Sequence, residues 1–226
     1  MRQKLTISAA LLLVTGLTGA CERARETKPE ETAAAPTVTE SKGALAVRRE
    51  AQEHLDMARE HFLRKDMTTA ATELRAASTF LREQADSASG DVKDHMLSSA
   101  RELDKLATDV ETNMIKTERS LDYAFARSQR AEAERHHADA VAAWARKDMA
   151  RASDELTMAV DHFERAAKDA GSVLSAGTKN VLTDTREVAG QLTKGVGFVP
   201  EQVGKVIEAF GKEISVLGAK IEKQKV

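Results

Sequence analysis

Histidine is the residue type on which metal or acid–base chemistry would rest in this chain, which carries six of them. Glu134 and His137 alone stand at the Glu-x-x-His spacing, which sets two ligating side chains on one face of a helix. Di-metal bundles need two such pairs and two further carboxylates on facing helices. One pair supplies a quarter of that set, so a solvated helix face explains it more simply and no metal ligand is assigned. His54 and His136 hold equivalent positions in the repeat described below, a coincidence that duplication accounts for by itself; their one functional use would be a response to mild acid. No nucleophile motif, phosphate-binding glycine loop or Cys–His zinc spacing is present. The expectation is a protein without catalytic residues or cofactor, hence not an enzyme.

The single cysteine, Cys21, has a more specific setting. Arg2 and Lys4 charge the first four residues, Leu5 to Leu17 form an apolar run of about 13 residues, and Thr18-Gly19-Ala20 place small residues before the thiol. Crossing a bilayer takes about 20 apolar residues, whereas a charged start, a short apolar core and a small-residue end define a secretory leader. Residues 1–20 are therefore read as a signal peptide. The sequence Leu17-Thr18-Gly19-Ala20-Cys21 resembles the bacterial lipobox, with Thr18 in place of the usual Leu. That resemblance implies cleavage between Ala20 and Cys21, diacylation of the Cys21 thiol with palmitate-type chains, and acylation of the new amino group. No second cysteine exists to form a disulfide in an oxidising compartment. Two or three acyl chains, at about 0.8 kcal/mol per buried CH₂, would hold the chain on a membrane. Glu22, where an Asp would signal inner-membrane retention, implies by the same resemblance an outer-membrane lipoprotein facing the periplasm.

Behind the anchor, residues 21–43 hold two of the three prolines among small and charged residues, with no apolar period. They read as a disordered tether. The whole chain is 31% charged and poor in aromatics and proline, and rich in Ala, Glu, Lys, Arg and Leu, a composition that favours long helices over sheet. The formal charge is −2 and becomes about −4 without Arg2 and Lys4, with both signs spread along the chain. No clustered basic face is available to displace phosphate counterions, which argues against nucleic-acid binding.

The elements that would position any site come from an internal repeat. Arg64-Lys65-Asp66-Met67 recurs 82 residues later as Arg146-Lys147-Asp148-Met149. In the flanks Ala51, His54, Ala58, Glu73, Leu74 and Ala77 recur without a gap as Ala133, His136, Ala140, Glu155, Leu156 and Ala159, and Phe62 faces Trp144. Each copy reads as a helix, a tight turn and a second, antiparallel helix whose first residue is capped by Asp66 or Asp148. Residues 44–125 form the first unit and 126–199 the second. Residues 91–147 contain neither Gly nor Pro, so one long helix, bent near Asn113, is expected to join the copies.

Residues 200–226 form a distinct amphipathic helix. Pro200 suits a helix start, and Val203, Ile207, Phe210, Ile214, Leu217 and Ile221 alternate steps of four and three, the spacing of a coiled coil. These six are offered as a face for a partner or a membrane, against the plainer reading of a helix that closes the bundle. Gly190, Gly197, Gly204, Gly211 and Gly218 recur every seven residues and predict close backbone approach.

The fold expected is all-α, a helical bundle built from a duplicated helix-turn-helix unit with a C-terminal amphipathic helix. The Arg-Lys-Asp turn followed by Ala70, Leu74 and Ala77 resembles the turn and second helix of tetratricopeptide repeats. A helix-turn-helix duplication behind a secretion signal is also similar to the YfdX family of periplasmic helical proteins. Such a body implies a non-enzymatic cell-envelope lipoprotein, held on the membrane through Cys21 and acting as a helical scaffold or adaptor for an envelope protein partner. The alternative is a periplasmic stress-related helical protein that holds small ligands or unfolded chains.

Overall fold

Two turns with the same geometry organise the body. At the first, Lys65 takes φ 62° and the Asp66 amide donates to His61 O at 2.9 Å; at the second, Lys147 takes φ 61° and the Asp148 amide donates to Ala143 O at 3.0 Å. A left-handed residue with a bond back across five residues is a helix-ending cap that usually employs glycine; here lysine occupies the position twice. Each turn then starts the next helix with an aspartate: Asp66 Oδ1 accepts from the Thr69 amide at 3.2 Å and Asp148 Oδ1 from the Arg151 amide at 3.1 Å.

The structure is a computed structural model and describes residues 39–115 and 117–224. Seven helices and no strand occur among the described residues: α1 (Thr39–Leu63), α2 (Met67–Asp86), α3 (Gly90–Glu111), α4 (Arg119–Ala145), α5 (Met149–Asp169), α6 (Ala176–Lys194) and α7 (Pro200–Lys223). The all-α bundle is as the composition and periodicity predict. The expected leader, Ala20, Cys21 and most of the tether lie outside the described residues; the last of the tether, residues 39–43, belongs to α1, where Glu40 and Lys42 are competent helix formers.

The copies correspond helix by helix. α1 and α4 end 82 residues apart, and α2 and α5 begin 82 residues apart. The expected single helix through 91–147 is instead two, because Asn113 adopts φ 56° and the Met114 amide bonds back to Asp109 O at 2.8 Å. Asn tolerates this left-handed conformation better than other non-glycine residues, so the chain reverses where a bend was expected.

Packing runs α1 on α2, α2 on α3, α3 on α4, α4 on α5, α5 on α6, with α7 against α4 and α6. The first core joins Leu55, Phe62, Leu74, Leu81, Met96, Leu103, Leu121 and Phe125. A second gathers Ala133, Val160, Phe163, Phe210, Ile214 and Leu217, and a third Ala140, Leu156, Leu192, Val203 and Ile207. Each large apolar side chain removed from water in this way contributes about 1.5–3 kcal/mol. α4 serves all three, its start facing the first copy and its remainder the second. The expected boundary at 125/126 thus falls inside one continuous helix.

All six apolar residues offered as a partner or membrane face of α7 are buried. Phe163 of α5 meets Phe210 edge-on at 5.7 Å between centroids. That face closes the bundle, which corrects the partner or membrane reading for these residues: α4, α5 and α6 already cover them. Of the five spaced glycines, close approach occurs at two. A Cβ on Gly211 would lie 2.8 Å from the His137 ring, and one on Gly218 2.5 Å from the Arg130 guanidinium. Gly190, Gly197 and Gly204 face open space.

Candidate functional site

α4 is packed by neighbours on several sides, so polar residues on it cannot all reach water. Gln129, Glu132, Arg135 and His136 are buried, and steps of three and four put Gln129, Glu132 and His136 on one stripe. α5 answers with Glu155 and His162, seven residues apart on its inward side and also buried. Buried polar groups persist only when they bond to one another, and these do. His136 Nδ1 lies 2.8 Å from Glu155 Oε2, and His162 Nδ1 lies 2.7 Å from Gln129 Oε1. The two imidazoles stack with centroids 5.1 Å apart and planes 12° from parallel. The Gln129 amide nitrogen donates to Gln52 Oε1 of α1.

Charge is distributed closely around these rings. Glu132 Oε2 lies 3.7 Å from both Arg135 Nε and His136 Nε2, and Arg135 bonds Asp139 at 3.0 Å. Arg151, largely exposed, reaches Glu155 at 3.7 Å. Glu132, His136 and His162 each offer one ligating atom within 4.8 Å of the others, and His136, Asp139 and Glu155 form a second, overlapping set. A narrow cavity lined by Gln52, Leu81, Gln129, Glu132 and His162 adjoins the first set.

Sequence reasoning singled out other residues. Glu134 and His137 diverge: Glu134 pairs with Arg130 at 2.7 Å and with His95 at 2.7 Å, while the His137 Nε2–H donates to Ile207 O at 2.8 Å. Neither sits on the solvated face expected, since each is partly buried against a neighbouring helix. His54 and His136 are indeed equivalent, as His54 Nδ1 meets Glu73 Oε2 at 2.6 Å across α1 and α2. The residues that reasoning missed are Glu132, Glu155 and His162. Their signal was present but ambiguous: Glu155 and His162 directly precede Leu156 and Phe163, which took the apolar stripe, and only a helix buried over a wide arc admits both neighbours to the interior.

A separate charged clamp ties α1 to the second copy. Arg59 bonds Asp122 and Asp169 at 2.9 Å each, reaches Glu118 at 3.3 Å, and lies 4.9 Å over the Phe125 ring. Burial opposes the Arg59 cation, but the bonds and charges of Asp169 and Asp122 outweigh it and raise its pKa. Burial also pushes the Asp169 carboxyl above its ordinary value, because Arg59, shared among three carboxylates, offsets only part of the lost hydration.

No protein-family model, curated protein or solved structure matches this chain.

Proposed function

We propose that the chain is a non-enzymatic lipoprotein of the bacterial cell envelope, held on the outer membrane by acyl chains on Cys21 and presenting its bundle to a protein partner in the periplasm. The observation that carries this reading is the ordered run of Arg2 and Lys4, a short apolar core, Thr18-Gly19-Ala20 and the lone Cys21. No helix among the described residues is long and apolar enough to cross a membrane, so in this reading the lipid supplies the attachment. With the apolar face of α7 used inside the bundle, the partner surface is assigned to the α6–α7 connection. Val196 and Val199 are exposed there beside Phe198, which packs edge-on against Trp144 at 6.1 Å. The adaptor reading is favoured over a holder of small apolar ligands because the cavity beside Gln129 and His162 is of the order of a single water, and the larger one, of about 280 Å³, is lined by charged and polar groups that include His95, Glu102, Arg127, Arg130 and Glu222.

The test is the intact mass of the membrane-extracted protein beside the same protein carrying Cys21→Ala. A lipid-sized increment confined to the first supports the anchor; an unmodified chain in the membrane fraction, or an increment that survives the substitution, refutes it. Crosslinking in cells with Val196→Asp and Val199→Asp then addresses the partner. Recovery of one envelope protein, lost in both variants while the helical circular dichroism is unchanged, supports the adaptor; recovery indifferent to both removes this surface from it.

A further inference from the structure

The buried histidines of the second copy are held as metal ligands are held. A carboxylate oxygen and an amide oxygen only accept hydrogen bonds, so Nδ1 of neutral His136 and of neutral His162 each carries the proton, toward Glu155 and Gln129 respectively. The basic lone pair of each ring is then on Nε2. Gln129 is fixed in this sense, because its amide nitrogen is committed to Gln52. Imidazoles tied at one nitrogen by an oxygen acceptor are the common arrangement behind transition-metal ligation, and His136 Nε2 faces Glu132 Oε2 at 3.7 Å.

We propose that Glu132, His136 and His162 bind one divalent first-row transition ion, of which Zn²⁺ is the representative, as a two-histidine, one-carboxylate set, with Glu155 and Gln129 as positioning residues. The ligating atoms lie within 4.8 Å of one another, with His136 Nε2 3.7 Å from Glu132 Oε2. Metal bonds of about 2.0–2.2 Å bring such atoms to roughly 3–3.5 Å apart, a closure within the reach of side-chain rotation. Of the two overlapping ligand sets, Glu132–His136–His162 is the one chosen, because Asp139 is bonded to Arg135 and Glu155 occupies Nδ1 of His136. The cavity lined by Gln52, Gln129, Glu132 and His162 supplies access and room for a water as a further ligand. The first copy is an internal control. It keeps the His54–Glu73 pair but has Phe80 at the position of His162.

The experiment uses the full chain in detergent, with Cys21→Ala throughout to exclude the thiol. Metal is stripped with a chelator, Co²⁺ is titrated while its visible d–d absorption is followed, and Zn²⁺ then competes. The expected result is one Co²⁺ per chain, displaced by Zn²⁺. Affinity falls at least about 100-fold in His162→Phe and Glu132→Gln, falls about 10-fold in Glu155→Gln, and is unchanged in His54→Phe. Nitrogen NMR of the histidine rings makes the test independent of whether a variant folds: in the unsubstituted protein Zn²⁺ shifts the Nε2 signals of His136 and His162 alone. Absence of stoichiometric Co²⁺ binding overturns the proposal, as does a Zn²⁺-induced shift confined to other histidines. Neither result bears on the lipid anchor.

Discussion

The two hairpins carry the same His–Glu pair and make opposite use of it. In α1 and α2 the side chains of His54 and Glu73 are 31% and 18% exposed; in α4 and α5 those of His136 and Glu155 are 0% and 3% exposed. The pair itself did not change. What changed is its cover: the second copy is packed by α3, α6 and α7 in addition to its own hairpin, and it places Glu132, Gln129 and His162 around the imidazole. Duplication thus delivered one geometry to two dielectric surroundings, and the surroundings decide whether the pair is a modest surface contact or the centre of a buried polar network.

The largest difference expected between the copies comes from removing the acid. In chelator-treated protein, Glu155→Ala takes the acceptor from the buried His136 Nδ1–H and should cost about 2 kcal/mol in chemical denaturation, whereas Glu73→Ala should cost under about 1 kcal/mol. Equal losses would break the comparison. Next is Arg59, which the repeat replaces by the exposed Val141. Arg59→Ala leaves Asp169 facing Asp122 without the guanidinium that bonds both and should lose about 2 kcal/mol.

Asp169 also sets a pH dependence. Its folded pKa is raised, so its contribution is fully present below the unfolded value of about 3.8 and is lost as pH rises through the folded value. Asp169→Asn should therefore lose less stability than the unsubstituted protein over that rise, as read from denaturation midpoints at successive pH values. A parallel pair of curves would remove Asp169 as the cause. Asp66 has the opposite sign: hydrogen bonds from Thr69 lower its pKa, and its contribution is lost as pH falls through the folded value.

Smaller effects separate what α7 adds. Gly218→Ala must displace Arg130 from Glu134 and Glu222 and should lose about 1 kcal/mol, while Gly204→Ala, facing open space, should gain up to about 1 kcal/mol from helix propensity. Thermal melts of the two should therefore shift in opposite directions. The caps are where the copies should agree: Asp148→Ala should cost about 1 kcal/mol, and Asp66→Ala should lower the Tm in the same direction.

Much of the architecture was legible in the residues. The Arg-Lys-Asp turns, both aspartate caps, the start at Pro200 and the inward stripes of α2 and α5 follow from spacing and from the identity of a few residues, because these are local events within one or two helical turns. The break at Asn113 was visible as a bend and no more, since a left-handed Asn either kinks or ends a helix according to what packs beyond it. The buried site was less legible. Glu132, Glu155 and His162 look like solvent residues on any helix with one neighbour, and they are interior only because α4 and α5 have several.

The sequence alone therefore determined most of the helices, their turns, the 82-residue duplication and the lone thiol behind a short apolar run, since each depends on contacts between residues near in the chain or on bare order of residue types. Tertiary structure decided which way α7 presents its apolar face, which two of five spaced glycines meet a neighbour, and which of two identical His–Glu pairs is sealed from water. Those outcomes depend on the number and placement of helices around a residue, and that is a property of the packed bundle that no local spacing encodes.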